Sequence, residues 1–200
     1  MYMGYRYLKA LNEEVLQAGA TWQPHEHKES LILTYVIRGK LLHECADGSQ
    51  QVIDQGQAHL LETGTVYRHR EMNGSPTDEV HYIQAFIRPK QKALPPRAEA
   101  WQFSPNSHVE NMILIASPTG ENSSIRIDQD VKVWVGKASP GSDFIRPIPN
   151  RRYIWFQALS GSGVLNQVPY GTGDGLSLDA ESKLQLTPQE ETNFLFLDFS

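Results

Sequence analysis

Cysteine is almost missing from this chain. Cys45 is the single one in 200 residues, which excludes an intramolecular disulfide and fits a reducing compartment. It falls at the end of an expected hairpin and reads as inert rather than catalytic. No apolar run resembles a signal peptide or is long enough to span a bilayer, so the expected location is the cytoplasm, with no membrane partner. A basic surplus is absent as well: Lys and Arg number 18 against 23 Asp and Glu, giving a net charge of −5. A nucleic-acid backbone is therefore not an expected partner. Long 3.6-residue periodicity is lacking, so helices should be few and short. Histidine runs out early: there are seven, and beyond residue 100 only His108 occurs.

What the chain has is alternation. Two hundred residues allow one large or two small domains, and a hydrophobic fraction of 40% suffices for packed cores. Tyr2 to Leu11 reads as an edge strand and EEVLQAG as a short one. SLILTYVI, KLLHEC, QQVI, AHLLE, VYRHRE and VHYIQAFI follow, with Asp47-Gly48 as a hairpin turn. Lys90 to Pro105, which includes KQKALPPRAEAWQF, reads as irregular linker in which Trp101 and Phe103 anchor against one barrel. MILIA, SIRI, VKVWVGKA, RYIWFQAL, GVLNQV, GLSL, KLQL and NFLFLDF then give a second set of short strands. The expected class is all-β, with turn spacing suited to sandwiches or barrels.

The chemistry concentrates between Gly19 and Asn73. Residues two apart on a strand share a face. His25 and His27 of Pro24-His25-Glu26-His27 therefore point one way and Glu26 the other. His69 and Glu71 share a face, opposite Arg68 and Arg70. If the two segments meet inside a barrel, three imidazoles and a carboxylate converge. That donor set suits a divalent transition metal, and an octahedral shell would keep two positions for water, substrate or dioxygen. A bare His-x-His is a weak signal, since half-exposed strands produce it often. His43, His59 and His81 also lie on expected strands, where a surface or locally hydrogen-bonded imidazole is the simpler reading. Asp174 follows a Gly-Thr-Gly turn and is read as capping it.

The spacing of Gly19, His25, His27, Gly39, Gly56, Gly64, His69 and Asn73 resembles the paired cupin signatures. Two departures are Glu62 where the second signature has Pro, and four residues rather than two between Gly64 and His69. PHEHKESLILTYVIRG, ETGTVYRHRE and VHYIQAFIRP resemble the corresponding runs of the pirin family. RRYIWFQALSGSGVLN, GDGLSLDAESKLQLT and TNFLFLDF look most like its bacterial quercetinase-like branch. The likeness begins at Met3-Gly4-Tyr5-Arg6-Tyr7-Leu8, without the His-, Phe- and Tyr-rich stretch that precedes this point in the family. Leu31 stands where pirins commonly carry Glu.

The resemblance implies two cupin-type jelly-roll barrels in tandem: a metal-binding barrel over 1–90, a linker over 91–110, and a degenerate barrel without a metal site over 111–200. It implies His25, His27, His69 and Glu71 as ligands of one divalent ion, iron first, with Mn, Co, Ni, Cu or Zn as alternatives. Glu71 is also the expected catalytic proton acceptor. The implied activity is a quercetin 2,3-dioxygenase type of oxidation, with a small aromatic or enolic substrate and dioxygen as partners. The alternative it implies is a non-enzymatic, redox-sensing regulator acting through a protein partner. Within the second half, YVIRGKLL and DQGQAHLLE find counterparts in QALSGSGVL and GTGDGLSLDAE, yet the counterpart of the His-x-His region reads SDFIRP and carries no imidazole.

Overall fold

The structure is a computed structural model that describes residues 2–101, 108–109 and 112–200. Its elements are almost all strands. Among the described residues, helical conformation is confined to one 3-10 turn, Glu121–Ser123. The chain separates into two compact units, Met1–Phe103 with Ile127–Gln129, and Ser104–Arg126 with Asp130–Ser200.

The first unit contains β1 (Tyr2–Tyr5), β2 (Leu8–Leu16), β3 (His25–His27), β4 (Leu31–Arg38), β5 (Lys40–Glu44), β6 (Gln50–Asp54), β7 (Ala58–Glu62), β8 (Tyr67–Asn73), β9 (Val80–Ile87) and β10 (Arg97–Trp101). One sheet runs β1-β2-β9-β4-β7-β10 and the other β3-β8-β5-β6. Side chains from both meet in the interior, which makes this a cupin-type barrel. Two segments differ from the sequence reading. The break expected near Leu11 falls earlier, where Arg6 adopts φ 54 and turns the chain; β2 then pairs with β9 from Leu8 to Leu16, with one register shift between Leu8 and Ala10. Residues 97–101, read as irregular, form a strand on β7. The prolines Pro95 and Pro96 end just before it, and an Arg97–Glu62 ion pair of 2.9 Å ties it down. Trp101 is buried, as an anchor should be. Phe103 lies outside the described residues, as do 102–107 and 110 of the expected linker.

The second unit contains β11 (His108–Val109), β12 (Met112–Ser117), β13 (Ile125–Arg126), β14 (Val131–Ala138), β15 (Phe144–Pro147), β16 (Tyr153–Ser160), β17 (Gly163–Leu165), β18 (Val168–Tyr170), β19 (Gly175–Leu178), β20 (Lys183–Pro188) and β21 (Thr192–Phe199). Its larger sheet runs β11-β12-β14-β21-β16-β19, and its smaller one β15-β20-β17-β18. That smaller sheet repeats the order of β3-β8-β5-β6. The likeness reaches single residues. Gly39 and Gly161 both hold positive φ (84 and 87), and a Cβ on either would lie 2.6 or 2.4 Å from the backbone oxygen of Glu79 or Glu191. Only glycine fits both the conformation and the approach. Gly56 and Gly173 likewise donate their amides to the carbonyls of Val36 and Ala158.

The two interiors differ in chemistry. Where His25 pairs with His69 across β3 and β8, Phe144 pairs with Leu186 across β15 and β20. Phe144 packs on a core of Trp134, Phe156, Leu186, Phe194 and Phe196. The second barrel is thus filled by apolar side chains at the place where the first carries imidazoles. Asp174 accepts from the Gly171 amide at 2.8 Å, closing its turn as expected. No helix of the described residues is long and apolar enough to cross a membrane.

Candidate metal centre

β3 and β8 are antiparallel, with His25 opposite His69 and His27 opposite Tyr67. Strand alternation puts His25, His27 and His69 on the inner face and leaves Glu26 and Arg68 exposed. The ring centroids lie 4.8 Å (His25–His27), 4.5 Å (His25–His69) and 5.1 Å (His27–His69) apart. One nitrogen from each ring falls within 4.8 Å of the others. Two metal–nitrogen bonds of about 2.1 Å span at most about 4.2 Å, so small side-chain rotations suffice to close three rings on one ion.

The nitrogens also have the right protonation and the right vacancies. Burial is the first cause that holds His27 near 4 and His69 near 2, well below the ordinary imidazole value. Both are neutral at pH 7 and offer a lone pair. His25 Nδ1 lies 3.0 Å from the Gln23 carbonyl oxygen, so Nδ1–H donates there and Nε2 is left as the lone pair. His69 Nδ1 lies 2.8 Å from His43 Nε2, while its Nε2 is buried and makes no hydrogen bond to protein. A buried polar atom without a partner is uncommon, and a cation is the natural ligand for a lone pair in this company. The donor set therefore fits a divalent transition metal.

Glu71 shares the interior. It is 3% exposed, and its carboxylate accepts from Gln84 Nε2 at 2.7 Å and from Tyr82 Oη at 3.5 Å. Burial raises it to about 7. Its carboxylate falls outside the set of three nitrogens that lie within 4.8 Å of one another. Tyr82 in turn accepts from Trp22 Nε1 at 3.1 Å, and Gln84 donates to Thr34 Oγ1 at 3.1 Å. Phe86, from the same face of β9, lies 5.5 Å from the His27 ring.

Two further imidazoles stand in this interior that the sequence reading had set aside. His43 and His59 are 1% and 2% exposed, with rings 4.4 Å apart. His43 bonds His69, and its Nδ1 lies 3.7 Å from Cys45 Sγ. His43 is therefore locally hydrogen-bonded, as read, but to a member of the cluster. His59 shares a rung with Thr34 and Gln84. The only sequence signal was the period-two spacing of Leu41, His43 and Cys45; β7 is buried along its whole length, so alternation does not single out His59. His81 is peripheral, with Nε2 2.6 Å from Glu13 Oε1.

So many imidazoles held neutral have a thermodynamic consequence for the metal-free protein. Burial lowers His27 and His59 to about 4, His43 to about 3 and His69 to about 2. A lowered folded value means that the unfolded chain takes protons first, so stability is present above pH 6.5 and lost on acidification. Below the ordinary imidazole value each such group therefore works against the folded state. Glu71, raised to about 7, acts with the opposite sign over the same range, but it is one group against four. The imidazoles win. The urea midpoint of metal-free protein should fall steeply from pH 7 to pH 5, and His59→Phe should flatten that slope by about one proton. A midpoint independent of pH contradicts this.

Comparison with known proteins follows the same division of the chain. The pirin profile matches residues 1–87, and the profile of the quercetinase C-terminal cupin domain matches residues 114–199. A Pasteurella multocida protein is 30% identical over 200 residues, covering 98% of this chain and 84% of its own length. The protein named quercetin 2,3-dioxygenase from Escherichia coli (strain K12) is 28% identical over 197 residues, again 98% and 84%. The crystal structure of bacterial pirin YhhW from Escherichia coli in complex with nickel(II) matches with a TM-score of 0.90 at 28% identity, covering 98% of this chain and 84% of that one.

Proposed function

This chain belongs to the pirin family, and from that membership and the three converging imidazoles we propose that it is a metal-dependent dioxygenase acting on a flavonol such as quercetin, or on a related small enol or phenol. The metal barrel is assigned to residues 1–90 with the strand Arg97–Trp101 added to it from the 91–110 linker segment, and the degenerate barrel to 111–200. His25, His27 and His69 would hold one divalent ion, iron first, with nickel, manganese, cobalt, copper or zinc as alternatives, and Glu71 would complete the set. The ion supplies Lewis-acid polarisation of a substrate oxygen and a centre for chemistry with dioxygen.

The chain's own residues do the rest. Glu71 takes the proton of the substrate hydroxyl, and its raised value of about 7 suits a group that must accept and later release a proton near neutrality. The Gln84 amide, fixed by Thr34, holds the carboxylate in place. Phe86, 5.5 Å from the His27 ring, sets an aromatic face beside the imidazoles that suits a flat substrate. The second barrel serves structure, and a reducing cytoplasm is the setting that fits the single thiol. The observation that carries this reading is the buried Nε2 of His69, without a protein hydrogen bond, among three converging imidazoles.

The experiment is anaerobic titration of iron- or nickel-loaded protein with quercetin, followed by air. The account expects the flavonol band to shift on binding and to bleach with oxygen uptake and release of carbon monoxide. Unchanged absorbance with metal bound removes the dioxygenase assignment.

A further inference from the structure

His69 has two ring nitrogens, and the structure gives them different fates. Nδ1 is 2.8 Å from His43 Nε2, and Nε2 is buried without a protein partner. One hydrogen bond between two neutral imidazoles needs one donor and one acceptor. Two arrangements satisfy it. If His43 donates, the His69 proton sits on Nε2, and a buried N–H is left with no acceptor at a cost of about 1–3 kcal/mol. If His69 donates through Nδ1–H, Nε2 keeps its lone pair. The proton of His43 is then on its own Nδ1, which faces Cys45 Sγ at 3.7 Å, a soft acceptor at the right place. The second arrangement leaves no buried donor stranded.

The strand register makes this arrangement a built one. His43 is opposite Glu71 on β5 and β8, and Glu44 is opposite Arg70, so the inner-face residues of β5 run alongside those of β8. His43 and Cys45 are both buried, and His43 is packed between the rings of His59 and His69, with centroids 4.4 and 4.9 Å away. It has little room to rotate.

We infer that His43 is a positioning residue for the metal ligand His69, holding it as the Nδ1–H tautomer so that Nε2 alone is the donor atom, with Cys45 holding His43 in the same way from behind. This rests on the reading of His25, His27 and His69 as a metal site and adds to it a second layer drawn from another strand. A ligand imidazole whose distal N–H is engaged is oriented in advance and is a stronger donor, and loss of such a partner typically weakens metal binding 10- to 100-fold.

The direct test needs no metal and no activity. Long-range proton–nitrogen correlation spectra of 15N-labelled, metal-free protein report the tautomer of each histidine. The inference expects Nδ1–H on His69 and on His43; Nε2–H on His69 overturns it. The second test is competition titration with nickel(II). His43→Phe, with far-UV dichroism confirming the fold, should bind 10- to 100-fold more weakly and show an altered visible spectrum. His43→Gln, whose side-chain oxygen can accept from His69 Nδ1–H, should recover to within a few-fold of the parent. Binding by His43→Phe within two-fold of the parent, with the same spectrum, overturns the inference. Should His43→Phe not fold, the tautomer decides alone. A parent protein that binds no nickel(II), iron(II) or other divalent ion sinks the metal site itself. The wrong tautomer in a protein that binds metal normally sinks the positioning role alone.

Discussion

His69→Ala should abolish metal retention. His69 is the one member of the cluster whose free nitrogen is wholly buried, and it sits within 5.1 Å, centroid to centroid, of both other rings. Its removal takes away a ligand and also leaves His43 Nε2 without its partner. Two imidazoles on one short strand cannot replace three donors from two strands. The expected result is a drop from near one ion per chain to background in elemental analysis, at least 100-fold in affinity, with the strand content unchanged by circular dichroism. A His69→Ala protein that still carries a full complement of metal would place the ion elsewhere.

Glu71→Gln should separate binding from turnover. The amide is close in shape, and its oxygen can still accept from Gln84 Nε2, now at 2.7 Å from Glu71 Oε1. The three imidazoles remain, so metal is retained with at most a modest loss of affinity. What disappears is the proton acceptor. General-base losses of this kind run to about 10²–10⁴-fold, and kcat for flavonol oxidation should fall by that amount while quercetin still binds. Full activity in Glu71→Gln would rule this carboxylate out as the base, whatever its part in holding the metal.

The sequence displayed much of the site and less of its setting. His25, His27 and His69 were legible because period-two alternation fixes their shared face, and because glycines that only positive φ explains, such as Gly39, mark where strands turn. SDFIRP carries no imidazole, and its Phe144 pairs with Leu186 and packs on the apolar core of the second barrel. His43, His59 and Cys45 were undervalued. Alternation tells which residues share a face of one strand, but not which face is inside, nor what stands across the barrel. The bond from His43 to His69 joins residues 26 apart on neighbouring strands, a matter of register rather than of pattern. The strand Arg97–Trp101 was hidden by the two prolines before it, since a breaker says where a strand cannot run and not where the next begins.

The central claim is a single divalent ion held by His25, His27 and His69 in the first barrel. Its most direct test is a crystal soaked in nickel(II) or iron(II), with an anomalous difference map at the metal edge. The account predicts one dominant peak about 2.1 Å from a nitrogen of each of the three rings, His69 contributing Nε2. No peak among the three, or a peak at another cluster of side chains, would contradict it.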